Sequence, residues 1–408
     1  MNAMFSALQS TLILMVVTRT NNVGDAGIFS IAYAFASLML FVGQYGIRKF
    51  QASDIREEFA FSEYVGNRVI TCAVMLVISL AYCFYGLEFK GYSLEKFLVV
   101  FLVCILKLIQ AFADVIHGRL QQNGRLDIAA KASFYRTVFS TVVCMVCLVI
   151  TSDLFISVLM CVAAGVLGLW LTSVNVMKDY GGMHVDFKFS KMKQLMIVGG
   201  PLFLSSFLSM YVSNAPKYAI DDFLSNDIQA YYNFIFMPTF AIQLLVGFIY
   251  NPILTEYAKI WDNKSFKKFK KLIVKQIATI TGIMIIGVLL AYTIGTPVLS
   301  LIFGVDINSY RLELCITMIG GGMLSYVTFF GTIMTITRHQ NSVVIGYLII
   351  AIAAKLTAEF FVTNYEILGA TCMYTLLMGG LAVILLGTMC FFLRKDVKTI
   401  SCDNNERI

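Results

Sequence analysis

Long apolar runs separated by short polar turns recur from one end of the chain to the other. Runs of about twenty residues, long enough to cross hydrocarbon as helices, fall at roughly 27–47, 68–87, 97–117, 134–151, 154–177, 194–214, 231–254, 273–295, 312–337, 343–362 and 367–393. A shorter run at 3–18, interrupted by Ser6, Gln9, Ser10 and Thr11, brings the number to twelve. The pattern predicts an all-α membrane protein of about 12 transmembrane helices. Helices satisfy their own backbone hydrogen bonds and therefore tolerate an apolar solvent.

Composition agrees. Hydrophobic residues make up 59% of the 408 residues and charged residues 13%, against about 25% charged in a soluble domain; mean hydropathy is +0.79. The apolar opening residues have neither a basic lead nor a small-residue cleavage site, so no signal peptide is expected.

Charge then orients the helices. Of the 31 Lys and Arg, 24 fall in the even-numbered loops and the C-terminal tail (48–68, 119–136, 178–193, 259–275, Arg338 and 394–407). Only 5 fall in the odd-numbered loops, and Lys107 and Lys355 lie within spans. Cytoplasmic loops carry the excess of cations, which places both termini in the cytoplasm. The basic loop 178–193 divides the chain into an N-terminal lobe (1–177) and a C-terminal lobe (194–393), followed by a tail (394–408). The halves echo each other. Each opening helix ends on a cation, Arg19 in VVTRT and Lys217 in NAPKY, and the next begins AGIFSIAYAF (26–35) or QAYYNFIFMP (229–238). Parallel repeats of this kind occur in transporters. Pro201 and Pro216 are expected to kink the seventh span, with Gly199, Gly200, Ser205, Ser206 and Ser209 leaving room for close packing or a polar lumen.

Several spans carry polar stripes. At about 100° per residue, Ser30, Tyr33, Ser37, Gln44 and Arg48 project onto one face of the second span. Lys107, Gln110, Asp114 and His117 share a face of the fourth, and Ser325, Thr328, Thr332, Thr335 and His339 a face of the tenth. Lys355 and Glu359 form an i,i+4 pair in the eleventh. A charge at the centre of the hydrocarbon costs about 2.5–3.5 kcal/mol or more, so such groups face protein or water. Lys107 with Asp114, and Lys355 with Glu359, are candidates for mutual neutralisation. The bland alternative is that the stripes merely hold helices together.

Other features carry less. The cysteines sit mostly in apolar runs, Cys144 and Cys147 have no second pair, and His117, His184 and His339 are dispersed, so neither a metal site nor a cofactor is expected. The cluster Lys264, Lys267, Lys268, Lys270 and Lys271, interleaved with Phe266 and Phe269, reads as a loop resting on anionic membrane lipids rather than a nucleic-acid surface. No phosphate-binding loop is present. Gly320, Gly321 and Gly322 allow close helix approach.

The stretch TRTNNVGDAGIFSIAYAFASLMLFVGQYGIRKFQASD (18–54) resembles the opening of bacterial polysaccharide repeat-unit flippases of the Wzx type, within the multidrug/oligosaccharidyl-lipid/polysaccharide exporter superfamily. IQAYYNFIFMP (228–238) and PVLSLIFG (297–304) resemble the second half of the same family. The resemblance implies two pseudo-symmetric six-helix lobes, MATE-like, forming a V around a central cavity and working by alternating access. It implies a multi-pass protein of the bacterial cytoplasmic membrane that is not an enzyme. Its substrate would be an undecaprenyl-diphosphate-linked oligosaccharide, moved from inner to outer leaflet for cell-surface polysaccharide biosynthesis. Polymerase and glycosyltransferases of that pathway are the implied partners. Cavity cations hold the diphosphate in related flippases, and Arg48 in YGIRKF matches such a position. Its counterpart in the repeat is the neutral Asn251, a departure from a symmetric cation pair.

Candidate cavity residues are thus Arg19, Gln44, Arg48, Lys107, Asp114, Lys217, Asn251, Lys355 and Glu359. A multidrug or cation antiporter on the same fold would favour an acid-rich cavity, whereas the intramembrane basic groups here equal or exceed the acids. A membrane-embedded glycan polymerase or acyltransferase would need a catalytic constellation, and the longest external loop, about 295–311, offers only Asp306 and no histidine.

Overall fold

The computed structural model describes residues 2–54, 57–250 and 253–405, and among these no strand occurs. The helices are α1 (Asn2–Thr20), α2 (Val23–Gln44), α3 (Ile47–Ser53), α4 (Phe61–Phe89), α5 (Leu94–Gln122), α6 (Leu126–Thr151) and α7 (Leu154–Leu169). A π turn and a 3-10 turn extend α7 to Tyr180. Then follow α8 (Phe189–Phe223), α9 (Asn226–Phe236), α10 (Thr239–Tyr250), α11 (Leu254–Asp262), α12 (Phe266–Leu290), α13 (Thr296–Phe303), α14 (Arg311–Ile336) and α15 (Gln340–Asn405). Glu366, with φ 46° and ψ −123°, breaks α15 into two helices.

Ten helical segments among the described residues are long and apolar enough to cross a membrane, Gln340–Lys395 being counted as one. Dividing that segment at Glu366 and adding the 19-residue α1 gives the twelve crossings expected. The helices overrun the apolar runs. α4 has 29 residues, about 43 Å at 1.5 Å per residue, against a hydrocarbon core of about 30 Å. Its first turns therefore take in Arg68, which the sequence places in a loop; the same holds for Arg136 in α6. Pro201 and Pro216 both lie within α8, which continues through them as one 35-residue helix.

The chain forms two compact units, Met1–Tyr211 with Ser225–Ala230, and Val212–Leu224 with Tyr231–Ile408. In the first, α5 is central, packed by α2, α4 and α7, with α6 joining α7 to α1. Its start is held by Ser93, whose hydroxyl accepts from the Lys96 N–H at 3.1 Å, an N-cap that satisfies an otherwise orphaned donor. The 181–188 segment is tied down where the Asp186 N–H donates to the Ser62 carbonyl at 3.1 Å. Lys188 lies 2.8 Å from Asp186 and 3.6 Å from Glu63, and Asp186 holds its ammonium pKa above the ordinary lysine range.

In the second unit α14 is central, packed by α10, α12 and α15. Its three consecutive glycines let neighbours approach as expected. A Cβ would meet the Tyr374 ring at Gly320 (2.5 Å), Thr239 Cβ at Gly321 (2.9 Å) and the Met284 side chain at Gly322. The hydroxyl stripe of α14 is satisfied within the helix: Ser325, Thr328, Thr332 and Thr335 each donate to the carbonyl four residues earlier. Around α11 and the start of α12, Phe269 is buried against Tyr257 and Trp261 while Lys264, Lys267, Lys268, Lys270 and Lys271 stay exposed.

Candidate functional site

The most concentrated chemistry in the first unit lies where α2 ends. Tyr45 (φ 49°) and Gly46 (φ 68°) both take left-handed conformations, which stops the helix and starts α3 two residues later. A left-handed tyrosine costs about 1–2 kcal/mol. Its ring stacks on Phe203 of α8, with centroids 4.6 Å apart and planes 13° from parallel. The turn sits tight against α8. A Cβ at Gly199 would lie 2.7 Å from the Tyr45 carbonyl oxygen, and one at Gly46 would lie 2.9 Å from Leu202 Cβ.

Ending the helix orphans its last carbonyls, and one of them organises the site. The Gly43 carbonyl accepts from the Thr71 hydroxyl at 2.7 Å and from the Arg68 guanidinium. Arg68, 1% exposed, also donates to Asp114 Oδ2 of α5 at 3.2 Å. The other carboxylate oxygen, Oδ1, accepts from Arg48 Nη1 at 3.0 Å. Arg48 sits on the first turn of α3 and also reaches Gln121 Oε1 at 3.4 Å; its side chain remains 35% exposed. Arg136 of α6, buried, lies within electrostatic reach of Asp114, and His117 within reach of Arg136 and Arg48.

Two guanidinium groups thus share a single carboxylate. Each buried charge is costly unless paired. Asp114 serves Arg48 and Arg68 with separate oxygens and leaves a surplus of positive charge. Arg48 is the member with a solvent-accessible edge. The arrangement suits a multivalent anion: guanidinium groups form planar, bidentate hydrogen bonds with phosphate oxygens.

The other candidates fall differently. Lys107 is buried and does not pair with Asp114. It donates to the Tyr33 hydroxyl at 2.9 Å and to Gln110 Oε1 at 3.4 Å, with its ammonium 4.0 Å from the Tyr33 ring centroid. The second-span and fourth-span stripes therefore meet, through Tyr33 and Lys107 and again through Arg48 and Asp114. Gln44 is half-buried at the last turn of α2, and Arg19 is exposed at the end of α1. Lys217 is buried in the second unit with its ammonium 4.4 Å from the Phe236 ring centroid. Lys355 and Glu359 are both exposed, and no ion pair joins them. Lysine N-terminal to glutamate is the weaker i,i+4 order. Asn251 lies outside the described residues.

Arg68 and Arg136 are the residues the sequence reading misses. Both border apolar runs and look like positive-inside loop cations. The available signal is Asp114: a carboxylate in an apolar segment demands a cation, and an arginine at the edge of a neighbouring span is the natural donor.

A family model described as polysaccharide biosynthesis protein matches residues 2–258. The capsular polysaccharide biosynthesis protein CapF of Staphylococcus aureus is 22% identical over 379 residues, covering 91% of this chain and 92% of that protein. Among solved structures, the lipid II flippase MurJ in an inward closed conformation matches with a TM-score of 0.71 at 12% identity, covering 95% of this chain and 87% of that one. An inward-facing multidrug resistance MATE family transporter of the MOP superfamily matches at 0.67 with 14% identity, covering 97% and 95%. At such identities these two structures speak for the fold, which is the one this chain adopts.

Proposed function

The chain belongs to the polysaccharide biosynthesis protein family, and from that premise we propose that it is a flippase for a lipid-linked oligosaccharide. Its substrate in this reading is an oligosaccharide on undecaprenyl diphosphate, carried from the inner to the outer leaflet of the cytoplasmic membrane by alternating access. Both termini are cytoplasmic, and the polymerase and glycosyltransferases of the pathway are its functional partners. The relative CapF, described as a capsular polysaccharide biosynthesis protein, and the fold shared with the lipid II flippase MurJ support a transport role in glycan assembly rather than catalysis.

One observation carries the choice of substrate. Asp114 is shared between Arg48 and Arg68, so the first unit presents surplus positive charge with Arg48 at its accessible edge. A diphosphate crossing hydrocarbon needs such a surplus, because an unpaired anion there is prohibitively expensive. A cation antiporter needs the opposite, a carboxylate free to receive the cation, and here both oxygens of Asp114 are taken by arginine.

The test is translocation by the purified protein in liposomes. A polyprenyl-diphosphate oligosaccharide loaded into one leaflet should become accessible to a sugar-specific lectin on the other side. Exchange of a cationic dye for protons, with no movement of the lipid, would establish the antiporter instead.

A further inference from the structure

A groove of about 300 Å³ lies in the first unit beside the basic cluster. Met39 and Val42 of α2 and Thr71 of α4 form its floor; Val74 and Ile78 of α4 stand at its mouth. The Tyr45–Phe203 stack closes one end, with Phe207 and Met196 of α8 completing the wall. Val74 and Ile78 are 44% and 41% exposed and continue the apolar outer face of α4 through Val77. The groove therefore opens toward lipid.

Its lining is carbon and sulfur almost throughout. Thr71, the polar residue of the floor, commits its hydroxyl to the Gly43 carbonyl. That same carbonyl accepts from Arg68, so the groove and the guanidinium cluster meet at one backbone oxygen. Tyr45 lines the groove and Arg48 follows it just across the left-handed Tyr45–Gly46 turn. The apolar wall thus begins beside the anion-seeking groups, at the Gly43 carbonyl that Thr71 and Arg68 share.

That adjacency selects among amphiphiles. A glycerophospholipid places an ester-bearing glycerol between its phosphate and its chains, and those oxygens would meet an apolar wall with no partner. A polyprenyl diphosphate carries its branched hydrocarbon directly on the phosphate oxygen. An apolar cavity of about 150 Å³ accommodates benzene, so this groove takes roughly two five-carbon units. Met39 and Met196 give it an adaptable surface suited to a branched chain.

We propose that this groove seats the first two isoprene units of the polyprenyl carrier while Arg48 engages its diphosphate, the remaining chain staying in the bilayer. The assignment rests on the flippase reading above, and it adds a second recognition element: the enzyme-made carrier is distinguished from bulk phospholipid by how close its hydrocarbon lies to its charge.

The test uses the full-length protein in detergent and three probes: geranyl diphosphate, inorganic diphosphate and a short-chain phosphatidylglycerol. Val74→Trp and Ile78→Trp fill the mouth from lipid-facing positions, and each is first checked for an unchanged melting temperature. Geranyl diphosphate should bind at least tenfold more tightly than inorganic diphosphate, and either tryptophan should erase that advantage while leaving inorganic diphosphate unaffected. Equal binding of the two diphosphates, or geranyl binding indifferent to both tryptophans, overturns the groove and leaves the flippase reading standing. Phosphatidylglycerol binding as tightly as geranyl diphosphate, with the same sensitivity, overturns it in favour of an ordinary lipid site. Failure of both diphosphates to bind removes the groove and the anion-binding basis of the flippase reading together.

Discussion

Arg48 and Asp114, 66 residues apart in sequence, are joined by a 3.0 Å ion pair that ties the first turn of α3 to the C-terminal third of α5. Because Asp114 spends its second oxygen on Arg68, the two arginines have unequal roles. Arg68 is sealed in and also holds the Gly43 carbonyl; Arg48 is the exposed partner.

The inequality predicts how the cluster fails. Asp114→Asn leaves Arg68 buried without a counter-charge, which costs about 3–5 kcal/mol. Arg68→Leu alone leaves Asp114 with Arg48 and is milder. The pair of changes together should cost less than their sum by about 0.5–3 kcal/mol, the range for residues in one network. Thermal unfolding of the four species in detergent measures this, and strict additivity would show that the two groups are not coupled.

Gly199 and Gly200 offer an internal control on the packing of the α2–α3 turn. A Cβ at Gly199 would press 2.7 Å from the Tyr45 carbonyl oxygen, whereas one at Gly200 meets nothing nearer than the Tyr45 hydroxyl at 3.9 Å. Gly199→Ala should destabilise by about 1–3 kcal/mol, the usual cost of overpacking. Gly200→Ala should be neutral or slightly stabilising, since glycine within a helix is worth about 1 kcal/mol less than alanine. The two melting temperatures should therefore move apart; a common shift would contradict the close contact at Gly199.

For Lys355 and Glu359 the structure reverses the expectation from spacing. Both are exposed and unjoined, so Lys355→Gln, Glu359→Gln and the double change should each alter stability little and add within about 0.5 kcal/mol. A double variant markedly healthier than either single would restore the ion pair.

Much of the fold is legible in the sequence because hydrocarbon imposes a length on every crossing. The twelve segments and the glycine contacts of α14 follow from period and position. The partners were less legible. Hydropathy marks where the apolar run stops and not where the helix stops, so Arg68 and Arg136 read as loop cations although α4 and α6 carry them into the packed unit. Spacing within one helix likewise suggested Lys107 with Asp114, whereas Tyr33 and Arg48, brought by neighbouring elements, take those positions. The left-handed pair Tyr45–Gly46 that aims Arg48 depends on contacts with α8.

In the flippase reading proposed above, Arg48 meets the diphosphate. Arg48→Ala leaves Asp114 paired with Arg68, so the fold should persist at wild-type level in the membrane. The lost charge-assisted hydrogen bonds are worth about 1.5–3 kcal/mol, roughly a ten- to hundredfold loss of transport, and Arg48→Lys should keep part of the activity because it keeps the charge without the planar fork. The measurement is surface polysaccharide in a flippase-deficient strain that supplies the matching lipid-linked glycan, with each variant at matched expression. Wild type should export, Arg48→Lys should export in part and Arg48→Ala hardly at all; full export by Arg48→Ala would contradict a diphosphate contact at Arg48.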